Sequence, residues 1–85
     1  MMPPNPSLVL PLAALRRGQT ARIASISVSA APRMAMLGLR RGVELSVVLG
    51  ADARGAVVAV GAARIALGRE LVDSVEVTAA APTPK

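Results

Sequence analysis

A chain of 85 residues with a formal net charge of +5 makes one small domain, of a size that buries only roughly 60% of the surface its unfolded form exposes. It contains no cysteine, no histidine and no aromatic residue, which excludes disulfides, thiol or imidazole catalysis and base stacking, and leaves the core to Leu, Val, Ile, Met and Ala. Ten Lys+Arg stand against five Asp+Glu, and Lys85 is the single lysine. Arginine in place of lysine, with abundant Ala, Gly, Val and Pro, is the mark of a GC-rich bacterial gene, so the basicity alone does not point to nucleic acid.

Met1 to Ser7 carries three prolines and reads as an N-terminal tail, 1–7. The segment Leu8 to Leu15 is apolar, but Pro11 interrupts it and no basic stretch precedes it, so it does not fit a signal peptide. Leu12 to Leu15 is a single helical turn with both leucines on one face, stopped by Gly18. A strand follows from Thr20 to Val28. Its large residues, Ile23 and Ile26, stand three apart, and a bulge near Ala24–Ser25 would turn both inward.

Ser29 to Ala31 is a loop, and Pro32 opens a helix that runs to Leu37, where its fixed φ and missing N–H do no harm. Gly38 supplies the left-handed residue that ends that helix. Met34 and Leu37 share the core-facing side. Met36 lies on another face, either open to a partner or packed under the Ser29–Ala31 loop. Gly42 then opens a half-buried strand, Val43 to Leu49, in which Val43, Leu45, Val47 and Leu49 alternate with Glu44, Ser46 and Val48. Gly50 to Gly55 is a turn with Asp52 and Arg54 at its tip.

Ala56 to Val60 is the next strand, Gly61–Ala62 a tight hairpin turn, and Ala63 to Leu67 the strand that returns, with Ile65 and Leu67 inward. Gly68 to Asp73 is a short helix or 3₁₀ turn, and Val75 to Thr78 a last strand. Ala79 to Lys85, with Pro82 and Pro84, reads as a C-terminal tail, 79–85, so the folded domain is 8–78. Five short strands with short helical insertions predict a mainly β fold, a small closed or nearly closed barrel. The longest apolar run, Ala56 to Ala63, falls far short of the roughly 20 residues that cross a bilayer, and the expected location is cytoplasmic.

Three patterns along this order resemble one family. They are Leu12-x-x-Leu15-x-x-Gly18, then Met34-x-x-Leu37-Gly38-Leu39-x-x-Gly42, then Arg64-Ile65-Ala66-Leu67-x-Arg69 with Leu71, Val72, Val75 and Val77 following. Together they are similar to the FeoA family from about Leu12 to Val77. The chain departs from that family in carrying Met34 where leucine is usual and Arg41 where proline is usual. The resemblance implies an SH3-like five-stranded barrel and a protein that accompanies the ferrous-iron transporter FeoB. It is also a resemblance to the C-terminal domain of metal-dependent repressors, whose helix-turn-helix domain does not fit in this length.

Chemistry-bearing groups are sparse. Catalysis needs a nucleophile with a base, paired acids or a metal, and the serines here have no base partner in the sequence. Glu70 and Asp73, three apart, would make at best a weak hard-cation pair. No cofactor, catalytic residue or metal ligand is therefore assigned, and any link to iron is expected to run through a partner. Arg16, Arg17, Arg22, Arg33, Arg40, Arg41, Arg54, Arg64 and Arg69 are scattered without interleaved aromatics, which argues against a site for single-stranded nucleic acid.

The reading is a non-enzymatic accessory of ferrous-iron transport, bound to the cytoplasmic part of a FeoB-type transporter. Its expected docking residues are Met36, Leu39, Arg40 and Arg41, with Asp52 and Arg54 as a second surface. Gly18, Gly38 and Gly42 are read as structural. The alternatives are a barrel that binds nucleic acid through its arginines and a module that self-associates through a sheet edge, giving a homo-oligomer.

Overall fold

The computed structural model describes residues 7–80. Six strands form one antiparallel sheet in the order β1-β6-β2-β3-β4-β5. They are β1 (Ser7–Pro11), β2 (Thr20–Ile26), β3 (Glu44–Asp52), β4 (Gly55–Val60), β5 (Ala63–Gly68) and β6 (Val75–Ala80). Two short helices interrupt them, α1 (Ala31–Met36) and α2 (Arg69–Val72), and a 3₁₀ turn spans Leu12–Ala14. The mainly β fold with short helical insertions is the one the sequence predicts. The strand count is six rather than five, because Ser7–Pro11 pairs with β6 from Ser7↔Ala80 to Pro11↔Glu76. Pro11 is tolerated there because β1 is an edge strand. The sheet curls without a ladder joining β1 to β5.

Ser7, Ala79 and Ala80, which the sequence reading put in the tails, are paired strand residues. The remainder of both tails lies outside the described residues.

The core is aliphatic throughout. Leu12, Leu15, Ile23, Met34, Leu39, Leu45, Val47, Val58, Leu67, Val72, Val75 and Val77 are buried, and among the described residues no polar or charged side chain joins them. Each long strand contributes every second residue: Leu45 and Val47 from β3, Ala56 and Val58 from β4, Val75 and Val77 from β6. With no buried polar group to satisfy, stability rests on apolar burial at roughly 25 cal/mol per Å².

Two bulges set which residues face in. In β2 the register against β6 shifts between Ile23 and Ser25, leaving Ala24 as the extra residue. The shift keeps Ile23 buried and lets Ile26 pack against the core. In β3 the register shifts between Val47↔Val58 and Leu49↔Val57. Val48 is the extra residue, so Leu49 falls opposite an outward-facing valine and is 55% exposed. The expectation that Leu49 points inward is corrected by this bulge: one inserted residue moves every later side chain to the other face.

The helical turn also ends earlier than expected. Leu15 is already extended, with ψ 144°, so Gly18 does not stop the helix. It sits in the following turn at φ +88°, where its amide donates to the Val47 carbonyl at 2.8 Å. Among the described residues no helix is long and apolar enough to cross a membrane.

Candidate functional site

The candidate site is the corner between α1 and β3. Pro32 occupies the first turn of α1, where its missing N–H leaves no intrahelical bond unmade. Leu37 caps the C-terminus, and Gly38 follows at φ +84°. The Gly38 amide donates to the Ala35 carbonyl at 3.0 Å and the Leu39 amide to the Met34 carbonyl at 2.9 Å. This pair of bonds is a Schellman motif, and it brings the residue after the glycine back against the last turn of the helix.

Leu39 and Met34 are both fully buried. The assignment of Leu39 to the docking surface is therefore corrected. The capping bonds turn its side chain into the core, beneath a surface groove. Leu37, expected in the core beside Met34, is 39% exposed, since it has left the helix as its cap residue.

Beyond Leu39 the chain turns tightly. The Val43 amide donates to the Arg40 carbonyl at 3.0 Å, and the Gly42 amide to the Ile23 carbonyl at 2.8 Å. Gly42 stands at φ +90°, and its carbonyl accepts from Arg22 Nη1 at 3.2 Å. The corner is thus fastened to β2 while Arg40 and Arg41 project outward; both are exposed. They flank an open groove of about 260 Å³ lined by Ile26, Ala31, Ala35, Leu39, Arg40 and Arg41. Met36 is 87% exposed on the same helix end, so it does not pack under the Ser29–Ala31 loop. Among the described residues neither Arg40 nor Arg41 forms an ion pair, the Arg69–Asp73 contact being the salt bridge found. The arrangement is an apolar cleft with two uncompensated cations on its rim, suited to an apolar side chain flanked by acids.

Asp52 and Arg54 lie at the far end of β3 and do not join this corner. The Asp52 carboxylate accepts from the Arg54 amide at 2.7 Å and the Gly55 amide at 3.2 Å. Its carbonyl accepts from Arg69 Nη1 at 3.0 Å, so the turn is tied to α2. This turn borders a separate shallow concavity of about 250 Å³.

Gly55 is the residue that sequence reasoning missed. It stands at φ +137°, and a Cβ there would sit 1.9 Å from the Leu67 carbonyl oxygen, so β4 and β5 approach too closely for any side chain. The Asp52-x-x-Gly55 spacing is a turn signal, but the close approach of β5 is a tertiary contact that no local pattern carries.

The Glu70 and Asp73 carboxylates do not act together. Arg69 holds Asp73 at 3.1 Å, while Glu70 lines a small hollow with Ser27, Ser29 and Arg33. Among the described residues no cluster of three or more metal-ligating side chains occurs.

Residues 10–79 match the family model described as the FeoA domain. The crystal structure of an iron uptake regulatory protein, FeoA, is similar at 25% identity and a TM-score of 0.74, over 82% of this chain and 96% of that one. The NMR structure of a FeoA-like protein from Clostridium acetobutylicum shares the fold at a TM-score of 0.75, with 11% identity over 91% of this chain and 93% of that one. A manganese-dependent transcriptional repressor is similar at 26% identity and a TM-score of 0.74; 92% of this chain is covered but only 44% of the repressor. Among curated proteins none matches the chain.

Proposed function

The chain belongs to the FeoA domain family, and on that premise we propose that it is a non-catalytic accessory of bacterial ferrous-iron transport, docking on the cytoplasmic part of a FeoB-type transporter and modulating it. The observation that carries this reading is the family match across residues 10–79, which takes in nearly the whole sheet. The corner supplies the docking surface: Met36 and the Arg40–Arg41 rim stand out, with Ile26, Ala31 and Ala35 lining the groove beside them. A methionine adapts its shape to an apolar partner, and two uncompensated arginines favour an acidic one and speed encounter. The role of Asp52 and Arg54 is a second, separate contact at the far end of β3.

Cells that carry the transporter with and without this chain test the reading. Loss of the chain is expected to change the rate of ferrous-iron uptake, and restoring it is expected to reverse the change. An uptake rate indifferent to the chain contradicts the proposal. Nucleic-acid binding finds no comparable support, since the chain has no aromatic residue on which a base could stack.

A further inference from the structure

The strand β5 is one end of the sheet, and its residues Ala63, Arg64, Ala66 and Gly68 are all exposed. Its two-residue hairpin with β4 pairs Val60 with Ala63. The hydrogen-bonded pairs then fall at Val60↔Ala63, Val58↔Ile65 and Ala56↔Leu67, so the amides and carbonyls of Arg64, Ala66 and Gly68 point away from β4. That is an open row of backbone donors and acceptors, which natural sheets usually cover or block.

We propose that this edge pairs with the β5 edge of a second copy of the chain, antiparallel, with Ala66 on the two-fold axis. Two rows of side chains across the sheet set this register. The first is Leu49–Val57–Ala66, which the strand pairings place in line on the outer face. With Ala66 opposite the partner's Ala66, the apolar row continues unbroken from one copy into the other.

The second row is Asp52–Gly55–Gly68. In the same register Arg64 stands opposite the partner's Gly68. Two glycines leave its path bare, and Gly55 lies two strand spacings away, roughly 10 Å. The partner's Asp52 stands one strand further on, its carboxylate accepting from the Gly55 amide at 3.2 Å; it is of opposite sign to Arg64 but beyond direct contact. The two-fold axis repeats the arrangement, so each Arg64 lies over the other copy's bare glycines, meeting neither a side chain nor a like charge.

The registers shifted toward Arg64 fit worse. An axis at Arg64 opposes two guanidinium groups, and like charges directly opposite destabilise a sheet. An axis at Ile65 lays Arg64 across the partner's Ala66, Val57 and Leu49. A closed two-fold pairing of β5 also uses up this edge and does not propagate into a fibre. The inference is independent of docking at the Met36, Arg40 and Arg41 corner, which lies at the opposite end of β3; it shares Asp52 only with the second, separate contact.

Sedimentation equilibrium of the full chain tests it, together with amide hydrogen exchange by NMR and the variant Ala66→Glu. Ala66 is exposed, so the variant keeps its fold while setting two carboxylates face to face. The expected result is a dimer for the native chain and a monomer for the variant. The native dimer is also expected to show slowed exchange at Arg64, Ala66 and Gly68 that weakens on dilution. A native chain that stays monomeric at millimolar concentration overturns the proposal. So does a dimer that survives Ala66→Glu, or one that leaves those three amides unprotected.

Discussion

The Leu39 amide donates to the Met34 carbonyl at 2.9 Å, and both side chains are fully buried. This one bond joins the last turn of α1 to the chain that leaves it. With Leu39 turned inward, Arg40 and Arg41 are carried to the surface together, and the groove between them acquires an apolar floor. The placement of the candidate site is therefore a consequence of how α1 ends.

Gly38 makes that ending possible. At φ +84° a Cβ meets nothing within 4 Å, so a larger residue there is strained rather than crowded. Gly38→Val is expected to destabilise the domain by ~1–3 kcal/mol, a fall in Tm of roughly 5–20 °C for a domain of this size. With no aromatic residue in the chain, the melt is followed by far-UV circular dichroism. An unchanged Tm removes the argument.

Gly55 is expected to be less forgiving. Its substituent would collide with the Leu67 backbone at 1.9 Å, and backbone cannot swing aside as a flexible side chain does. Gly55→Ala should destabilise more than Gly38→Ala, because strain and a displaced β4–β5 ladder add together. Chemical denaturation of the two variants side by side gives the order; equal losses contradict it.

Two leucines that look alike in sequence should behave differently. Leu39→Ala leaves a hole beside Met34 and is expected to cost ~2–5 kcal/mol. Leu49→Ala removes a side chain that the β3 bulge has turned outward, and its expected effect is within about 0.5 kcal/mol. Similar losses from both would mean that Leu49 packs inward after all.

Charge reversal on the rim separates docking from folding. Arg40→Glu and Arg41→Glu alter exposed residues without an ion pair among the described residues, so each should shift stability by no more than about 0.5 kcal/mol. Each should weaken binding to the transporter's cytoplasmic part and flatten its salt dependence. Native-like affinity in both variants would remove the rim from the docking surface.

Much of this fold is legible in the sequence because its signals are local. The Gly38 stop, the Gly61–Ala62 turn and the Ile23/Ile26 bulge each depend on a few adjacent residues, and the structure has all three; α1 begins at Ala31, one residue before the Pro32 start. The misses are tertiary. Ser7 reads as the end of a proline-rich tail and Leu8–Pro11 as an apolar run without a strand signal until β6 is there to pair with them. Leu49 keeps perfect alternation in sequence, yet the extra residue opposite β4 reverses its face. Leu39 reads as a corner residue because nothing in its neighbours announces the Schellman bond that pulls it inward. The same bond carries Arg40 and Arg41 to the surface.

The most direct test of the account is an NMR titration of isotope-labelled protein with the cytoplasmic domain of the FeoB-type transporter from the same organism. The account predicts shifts clustered from Met36 to Gly42 and at Ile26, Ala31 and Ala35 around the groove, lost in Arg41→Glu. A spectrum unchanged at high partner concentration, or shifts confined to the Asp52–Arg54 turn, would contradict docking at this corner.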